Sequence, residues 1–229
     1  MNTIFGVSST TASNTKLKNG YTLFDWVMRQ KGIPAFWFRT ISGEGAVTQE
    51  EINYLKENDC KPAFMIKNLT SEQLASSDGT DDGIKIAEIA KNLGIPQNKN
   101  IALIVEIRAD QNVSHSWMYS FAEAIVSEGY IPGFIGNTDS SVNFNFDRQC
   151  SRYVQITENT DYYHSVFGAT EPKCAGEPEE WTPYCPSALQ PGDIQLWVTG
   201  TIELDNVKCD VIYARDMLVL NNMWGDDEI

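Results

Sequence analysis

The apolar segment 101–110, which reads IALIVEIRAD, ends in charged residues. Glu106 and Arg108 are two positions apart, so their side chains point the same way if the segment is a β-strand. An arginine beside a carboxylate favours the charged, oriented form of that carboxylate. The pair is therefore either a structural ion pair or part of a catalytic site.

Glycoside hydrolysis uses two carboxylates, about 5 to 5.5 Å apart in retaining enzymes and about 6.5 to 9.5 Å apart in inverting ones. Glu106 is a candidate for one of them. The second would be one of the acids that follow other apolar runs or the same one: Asp110, Asp139, Glu158 or Asp210. Of these, Asp210 and Asp139 are our catalytic candidates beside Glu106.

Other chemistries have weaker support. The two histidines, His115 and His164, lie in no H-E-x-x-H motif and have no spaced cysteine partner, so we expect no metal and no cofactor. A Ser-His-Asp site lacks the G-x-S-x-G elbow, although Ser8 or Ser9 with a distant histidine stays open. The acidic run 76–83, SSDGTDDG, departs from the EF-hand spacing and favours a helix-capping turn over a calcium loop.

Short apolar runs alternate with amphipathic stretches along the chain. Such runs are typical of strands that are buried on both faces. Eight strands are predicted, at 3–8, 35–40, 61–67, 101–107, 131–136, 153–157, 193–199 and 208–214.

Helical spacing separates the first five runs. Leu23, Val27 and Met28 precede a stop at Gly32, and Thr48 with Glu51 forms a capping box that opens a helix at 49–57. Further helices are predicted at 82–93 and 114–128, with weaker ones at 139–150 and 161–167 and an irregular insertion at 174–191.

Four clear strand-then-helix units followed by weaker ones predict an α/β fold, a single (β/α)8 TIM-type barrel with eight parallel strands that fills residues 1–229. An open doubly wound sheet is the alternative. It is disfavoured because no G-x-G-x-x-G or G-x-x-x-x-G-K-[ST] turn is present.

In a barrel of this type the site lies at the carboxyl ends of the strands. A charged side chain at the end of an apolar strand is costly to bury without a partner, so a ring of such residues indicates a polar ligand. Aromatic side chains there, Trp181 and Trp197 above all, could stack on sugar rings. The substrate-binding candidates are Ser8, Arg39, Lys67, Arg108, Asn137, Gln155 and Trp197.

The chain has 229 residues and a formal net charge of -14. This charge disfavours nucleic acid and anionic membranes as partners, because both are themselves negative. No apolar stretch approaches the length of a bilayer span, and the first residues do not resemble a secretory signal. The sequence leaves the compartment and the oligomeric state open.

The five cysteines form no C-x-x-C pair. Cys174 and Cys185 bracket a loop rich in proline and glutamate, and a disulfide between them is possible in an oxidising compartment. Burial as plain thiols is the equal alternative.

Several motifs occur together in order: GVS at 6–8, FR at 38–39, T-x-x-E at 48–51, GIKIAEIAKNLGIP at 83–96, IALIVEIRAD at 101–110 and GYIPGFIGN at 129–137. In this order they resemble the glycoside-hydrolase-like TIM-barrel family known as domain of unknown function 1906, which is distantly similar to the family 25 lysozymes. The resemblance covers about residues 6–137 and implies action on peptidoglycan or a related glycan.

The chain departs from that family at two places. Ser8 stands where the family usually has an aspartate in the first strand, and Arg108 stands where the fourth strand usually ends in a second acid. A serine cannot protonate a glycosidic oxygen near neutral pH. Two hypotheses follow: a glycan hydrolase that uses Glu106 with Asp210 or Asp139, and a barrel that binds a glycan or a protein without turnover.

Overall fold

The structure is a computed structural model that describes residues 2–157, 164–170 and 176–224. Eight strands close into one barrel in sequence order. They are β1 (Ile4–Ser9), β2 (Phe36–Thr40), β3 (Lys61–Ile66), β4 (Ala102–Ile107), β5 (Ile131–Gly136), β6 (Val166–Ala169), β7 (Ile194–Leu204) and β8 (Val207–Ala214).

Helices pack around the barrel between the first six strands. They are α1 (Leu23–Lys31), α2 (Gln49–Glu57), α3 (Ser71–Ala75), α4 (Thr80–Asn92), α5 (His115–Ser127) and α6 (Phe144–Thr157). Threonine side chains cap α1, α2 and α3. On α2 only half of the predicted capping box forms: Thr48 accepts from the Glu51 amide, whereas the Glu51 carboxylate accepts from Arg39 and from the Ser13 amide. The predicted α/β barrel and the helices at 49–57, 82–93 and 114–128 are confirmed.

The expectation of eight parallel strands is wrong at the last strand. Strands β1 to β7 are parallel, whereas β8 is antiparallel to both β7 and β1. Only Asp205 and Asn206 connect β7 to β8, both with positive φ, the backbone of a tight hairpin turn. Two residues cannot hold the crossover helix that a parallel neighbour requires.

The predicted strand at 153–157 is also wrong, because these residues form the last turns of α6. The buried positions Phe146, Cys150, Tyr153 and Thr157 recur every three or four residues, which is the spacing of a helix face. The sixth strand is Val166–Ala169, which begins inside the segment 161–167 that was predicted as helical.

Alternation along the strands divides the side chains into two sets. Phe36, Phe38, Met65, Ile104 and Ile212 belong to the buried cluster inside the barrel. A β-carbon at Gly6 would lie 2.3 Å from the Phe36 ring, so only glycine fits beneath that ring. Neighbouring positions such as Trp37 and Leu103 join the clusters between strands and helices. The interior is therefore a packed core below the mouth.

A 3-10 segment covers the end at which the parallel strands begin. Val219 and Leu220 from Met217–Asn222, with Met223, extend the interior cluster. The Trp224 amide donates to the Pro62 carbonyl at the start of β3. The opposite end of the barrel, where the parallel strands finish, holds the candidate site described below. Within the described residues, no helix is long and apolar enough to cross a membrane.

A buried ion pair ties the loops around β1 and β2 together. Arg39 faces the helices from β2, and its Nε lies 2.7 Å from Glu51 Oε1 on α2, with both side chains 1% exposed. Its guanidinium also donates to the carbonyls of Ser9 and Gly45. The amide of Ser13 donates to the same glutamate oxygen at 2.7 Å.

We expect Arg39→Ala to lower the free energy of unfolding by about 3 to 5 kcal/mol, because it leaves the buried Glu51 carboxylate without its counter-charge. Urea denaturation followed by circular dichroism measures this change. Arg108→Ala is the matched control: its side chain is 50% exposed, and we expect a change within about 0.5 kcal/mol. Equal effects of the two substitutions would contradict the structural role of Arg39.

Candidate functional site

A cavity of about 230 Å³ opens at the barrel mouth where the parallel strands end. Its floor is apolar and its walls are polar. The lining residues are Ser8, Met65, Lys67, Glu106, Ile135, Thr170, Val198, Gly200, Thr201, Asp210 and Ile212.

Strand alternation explains which polar side chains reach this cavity. Ala102 and Ile104 lie inside the barrel, so Glu106, two residues further along β4, points the same way. Lys67 follows Met65 by two positions after β3 in the same manner. On β8 the chain runs in reverse, and Asp210 precedes the interior residue Ile212. In the antiparallel pairing of β8 with β1, Asp210 lies directly opposite Ser8.

The two predicted carboxylates meet at one ammonium group. Lys67 Nζ lies 3.0 Å from Glu106 Oε2 and 4.0 Å from Asp210 Oδ2. Because both oxygens contact the same nitrogen, they are at most about 7 Å apart, the sum of those two distances. That limit includes the carboxylate spacing of retaining enzymes and the shorter spacings of inverting ones.

Two buried oxygens in the cavity lack a directed hydrogen bond. Glu106 Oε2 forms an ion pair with Lys67 Nζ, but no donor among the described residues makes a well-aligned hydrogen bond to it. Ser8 Oγ, in a residue 1% exposed, also has no partner within the described part of the chain.

Burial raises the pKa of the Asp210 carboxyl above its ordinary value, and the nearby negative charge of Glu106 raises it further. The Lys67 ammonium and a hydrogen bond from Thr201 Oγ1, at 3.2 Å, oppose this rise without cancelling it. The environment of Asp210 therefore favours a retained proton.

Two predicted site residues take part in other interactions. Arg39 faces the helices in the ion pair with Glu51 and does not line the cavity. Arg108 turns away from Glu106, and its Nε lies 3.3 Å from Asp110 Oδ1 at the surface. The expected Glu106–Arg108 pair is therefore replaced by Glu106–Lys67.

The two candidate residues that follow β5 form hydrogen bonds within their own loop. Asn137 Oδ1 accepts from the Asp139 amide at 2.9 Å. Asp139 Oδ1 in turn accepts from the amide and hydroxyl of Ser141. Neither Asn137 nor Asp139 lines the cavity, so Asp210 is the better-placed second carboxylate.

Gln155 and Trp197 also lie away from the cavity. Gln155 lies on α6 beside a different pocket, near the end of the barrel where β6 and β7 begin. Trp197 is 1% exposed and makes an edge-on contact with Trp181, whose Nε1 donates to the Ile194 carbonyl. These two tryptophans pack the barrel wall. Two further predictions, Glu158 and the Cys174–Cys185 disulfide, involve positions outside the described residues.

Sequence reasoning missed Thr170 and Thr201 as cavity residues. Thr201 lies on β7 beyond its predicted end at 199, because a register shift between Val198 and Gly200 lets the strand continue to Leu204. The glycine at 200 was the available signal, since glycine within a strand often marks such a bulge.

The acidic run at 76–83 is structural. Asp78 Oδ1 accepts from the Thr80 amide and hydroxyl, and Asp82 Oδ2 accepts from Trp117 Nε1 at 2.9 Å. In the part of the chain that the structure describes, no group of three or more histidine, cysteine or acidic residues could hold a metal ion.

No protein-family model and no curated protein matches this sequence. Solved structures do match. An uncharacterised protein from B. stearothermophilus is 20% identical with a TM-score of 0.75, over 96% of this chain and all of that one. A lysozyme from Streptomyces coelicolor is 9% identical with a TM-score of 0.55, over 97% of this chain and 98% of that one. The chain therefore has the same kind of closed α/β barrel fold as this lysozyme.

A Tat-secreted protein from Mycobacterium tuberculosis has the same barrel. It is 13% identical with a TM-score of 0.58, and the match covers 92% of this chain and 94% of that one. Identities this low show a shared fold. The chemistry of this barrel therefore depends on the residues of its own cavity.

We expect Asp210→Asn to raise the melting temperature at about pH 7, because a carboxyl with a raised pKa destabilises the folded state once it ionises. The stability that protonated Asp210 contributes is complete below its unfolded pKa and is lost as the pH rises through its folded pKa. The advantage of the variant should therefore shrink below about pH 4.

Thermal denaturation from acid to neutral pH measures this difference. Glu88→Gln, at an exposed position on α4 that does not line the cavity, also removes one negative charge and is the control. A wild-type protein more stable than Asp210→Asn at neutral pH would contradict the account of Asp210.

Proposed function

We propose that this barrel binds a glycan in the mouth cavity and hydrolyses a glycosidic bond there, with Asp210 and Glu106 as the catalytic carboxylates. The observation that carries the proposal is the approach of both side chains to Lys67 Nζ within one cavity. The similarity of the fold to a lysozyme supports a glycan as substrate.

The environments of the two acids suggest different roles. Asp210, with its raised pKa, donates a proton to the departing glycosidic oxygen. Glu106, beside the Lys67 ammonium, accepts a proton from the water that attacks the anomeric carbon. The oxygen of that water completes the new sugar hydroxyl, and proton exchange with solvent restores both carboxyl groups.

The remaining polar groups position the sugar in this proposal. Thr201 orients Asp210 through its hydroxyl, and Ser8 offers a buried hydroxyl on the opposite strand. The apolar floor, which includes Met65 and Ile135, excludes water below the ring. Peptidoglycan as the particular substrate, and membership of the domain of unknown function 1906 family as a single domain of residues 1–229, are parts of the same proposal.

A second candidate function is glycan binding without hydrolysis. Two observations favour it: the Lys67 ammonium lies between the acids, where positive charge would develop in the transition state, and Ser8 occupies a position where the resembled family has an acid. A barrel with these replacements would still bind a glycan but would not hydrolyse it.

We expect the wild-type protein to clear a suspension of purified bacterial walls and to release new reducing ends. Glu106→Gln and Asp210→Asn should each lower the rate by about 10² to 10⁴-fold, because each removes one proton-transfer group. Turbidity and reducing-sugar assays measure the two effects.

Glu88→Gln, which makes the same change of charge on an exposed helix, should keep the wild-type rate. Circular dichroism establishes that every variant is folded. Equal rates for wild type and Glu106→Gln would exclude the proposed hydrolysis. Wall binding with no reducing ends from any form would establish the second candidate.

A further inference from the structure

The mouth cavity carries an excess of negative charge. Among the described residues that line it, Glu106 and Asp210 are acidic and Lys67 is the only basic one. With both acids ionised, the cavity has a net charge of one negative unit. Asp210 on its own tends to keep its proton, and a bound cation beside it favours the ionised form. A ligand that brings positive charge would therefore be favoured over a neutral or anionic one.

The same cavity has more hydrogen-bond acceptors than donors. Ionised carboxylates can only accept, and Glu106 Oε2 lacks a directed donor in the described structure. Ser8 Oγ is a second buried oxygen without a partner, in a residue 1% exposed on the strand that pairs with Asp210. A primary ammonium offers three donors, whereas an N-acetyl group offers one N–H and adds a carbonyl acceptor.

Lys67 marks where such a group would bind. Its own ammonium lies 3.0 and 4.0 Å from the two acids, at the end of a flexible chain of four methylene groups. The side chain is 22% exposed and directly follows β3, so it can withdraw toward solvent. We propose that the cavity binds a glycan with free primary amino groups, whose ammonium takes the place of Lys67 Nζ between Glu106 and Asp210.

This inference rests on the second candidate of the proposed function, glycan binding without hydrolysis, because an ammonium held between Glu106 and Asp210 leaves neither carboxylate free for proton transfer. It names the class of glycan for that same cavity. The net charge of the whole chain also favours a cationic glycan. A net charge of -14 attracts cationic polymers toward the protein and repels anionic ones. An oligomer of deacetylated hexosamine satisfies both the local and the long-range electrostatics.

Isothermal titration calorimetry tests the inference with two probes of equal length, a glucosamine oligomer and an N-acetylglucosamine oligomer. At about pH 6 the free amines are protonated. We expect the wild-type protein to bind the deacetylated oligomer about 10-fold more tightly or better, as one charge-assisted hydrogen bond can provide. Lys67→Met should strengthen this binding further, because it removes the competing ammonium.

Two variants distinguish binding that depends on the cavity from binding that depends on the overall charge. Glu106→Gln and Glu88→Gln each remove one negative charge, but only the first should abolish the preference. A preference unchanged in Glu106→Gln would overturn the assignment to the cavity. Equal or tighter binding of the acetylated oligomer would overturn the inference and leave glycan binding in place, whereas no binding of either oligomer would overturn the proposed function as well.

Discussion

The antiparallel pairing of β8 with β1 is the constraint on which the rest of the site depends. It closes the barrel without a final crossover helix, and its register places Asp210 directly across from Ser8. A parallel eighth strand would run in the opposite direction and would deliver different residues to the mouth. The hairpin that reverses the chain therefore determines both the closure and the second carboxylate.

Electrostatics then distinguishes the two acids that this geometry brings together. Glu106 is in close contact with Lys67, while Asp210 is one ångström further from the ammonium and has its pKa raised by burial. Acids with different environments can take different roles in proton transfer. The buried Arg39–Glu51 pair supports the cavity from outside the barrel. Arg39 holds the carbonyl of Ser9, which is next to Ser8, and the loop that contains Gly45.

The sequence predicts most of the barrel because its strands have strong local signals. Apolar runs of five or six residues, separated by capped amphipathic helices, locate β1 to β5 and α2, α4 and α5. The errors occur where the local pattern is ambiguous or where pairing decides the outcome. Residues 153–157 suit a strand or a helix, and the direction of β8 depends on a two-residue turn.

The candidate site was also predicted correctly in part and wrongly in part. Glu106, Lys67, Ser8 and Asp210 were expected at strand ends and all line one cavity, since inward alternation is a local property of each strand. Arg39, Arg108, Asn137 and Trp197 were expected there too, but each has a closer partner elsewhere: Glu51, Asp110, the Asp139 amide and Trp181. Which partner an end residue selects is a tertiary property that its own segment does not encode.

The pairing of β8 with β1 also restricts how this mouth can change in evolution. Because side chains on a strand alternate between two faces, a single residue inserted between Asp210 and Ile212 would send that carboxylate to the outside of the barrel. A residue inserted at the Asp205–Asn206 turn would only lengthen the hairpin, since Asp210 keeps its spacing from Ile212. Related chains that retain an acid here should therefore vary in hairpin length and keep this acid two positions from the next inward residue of the strand.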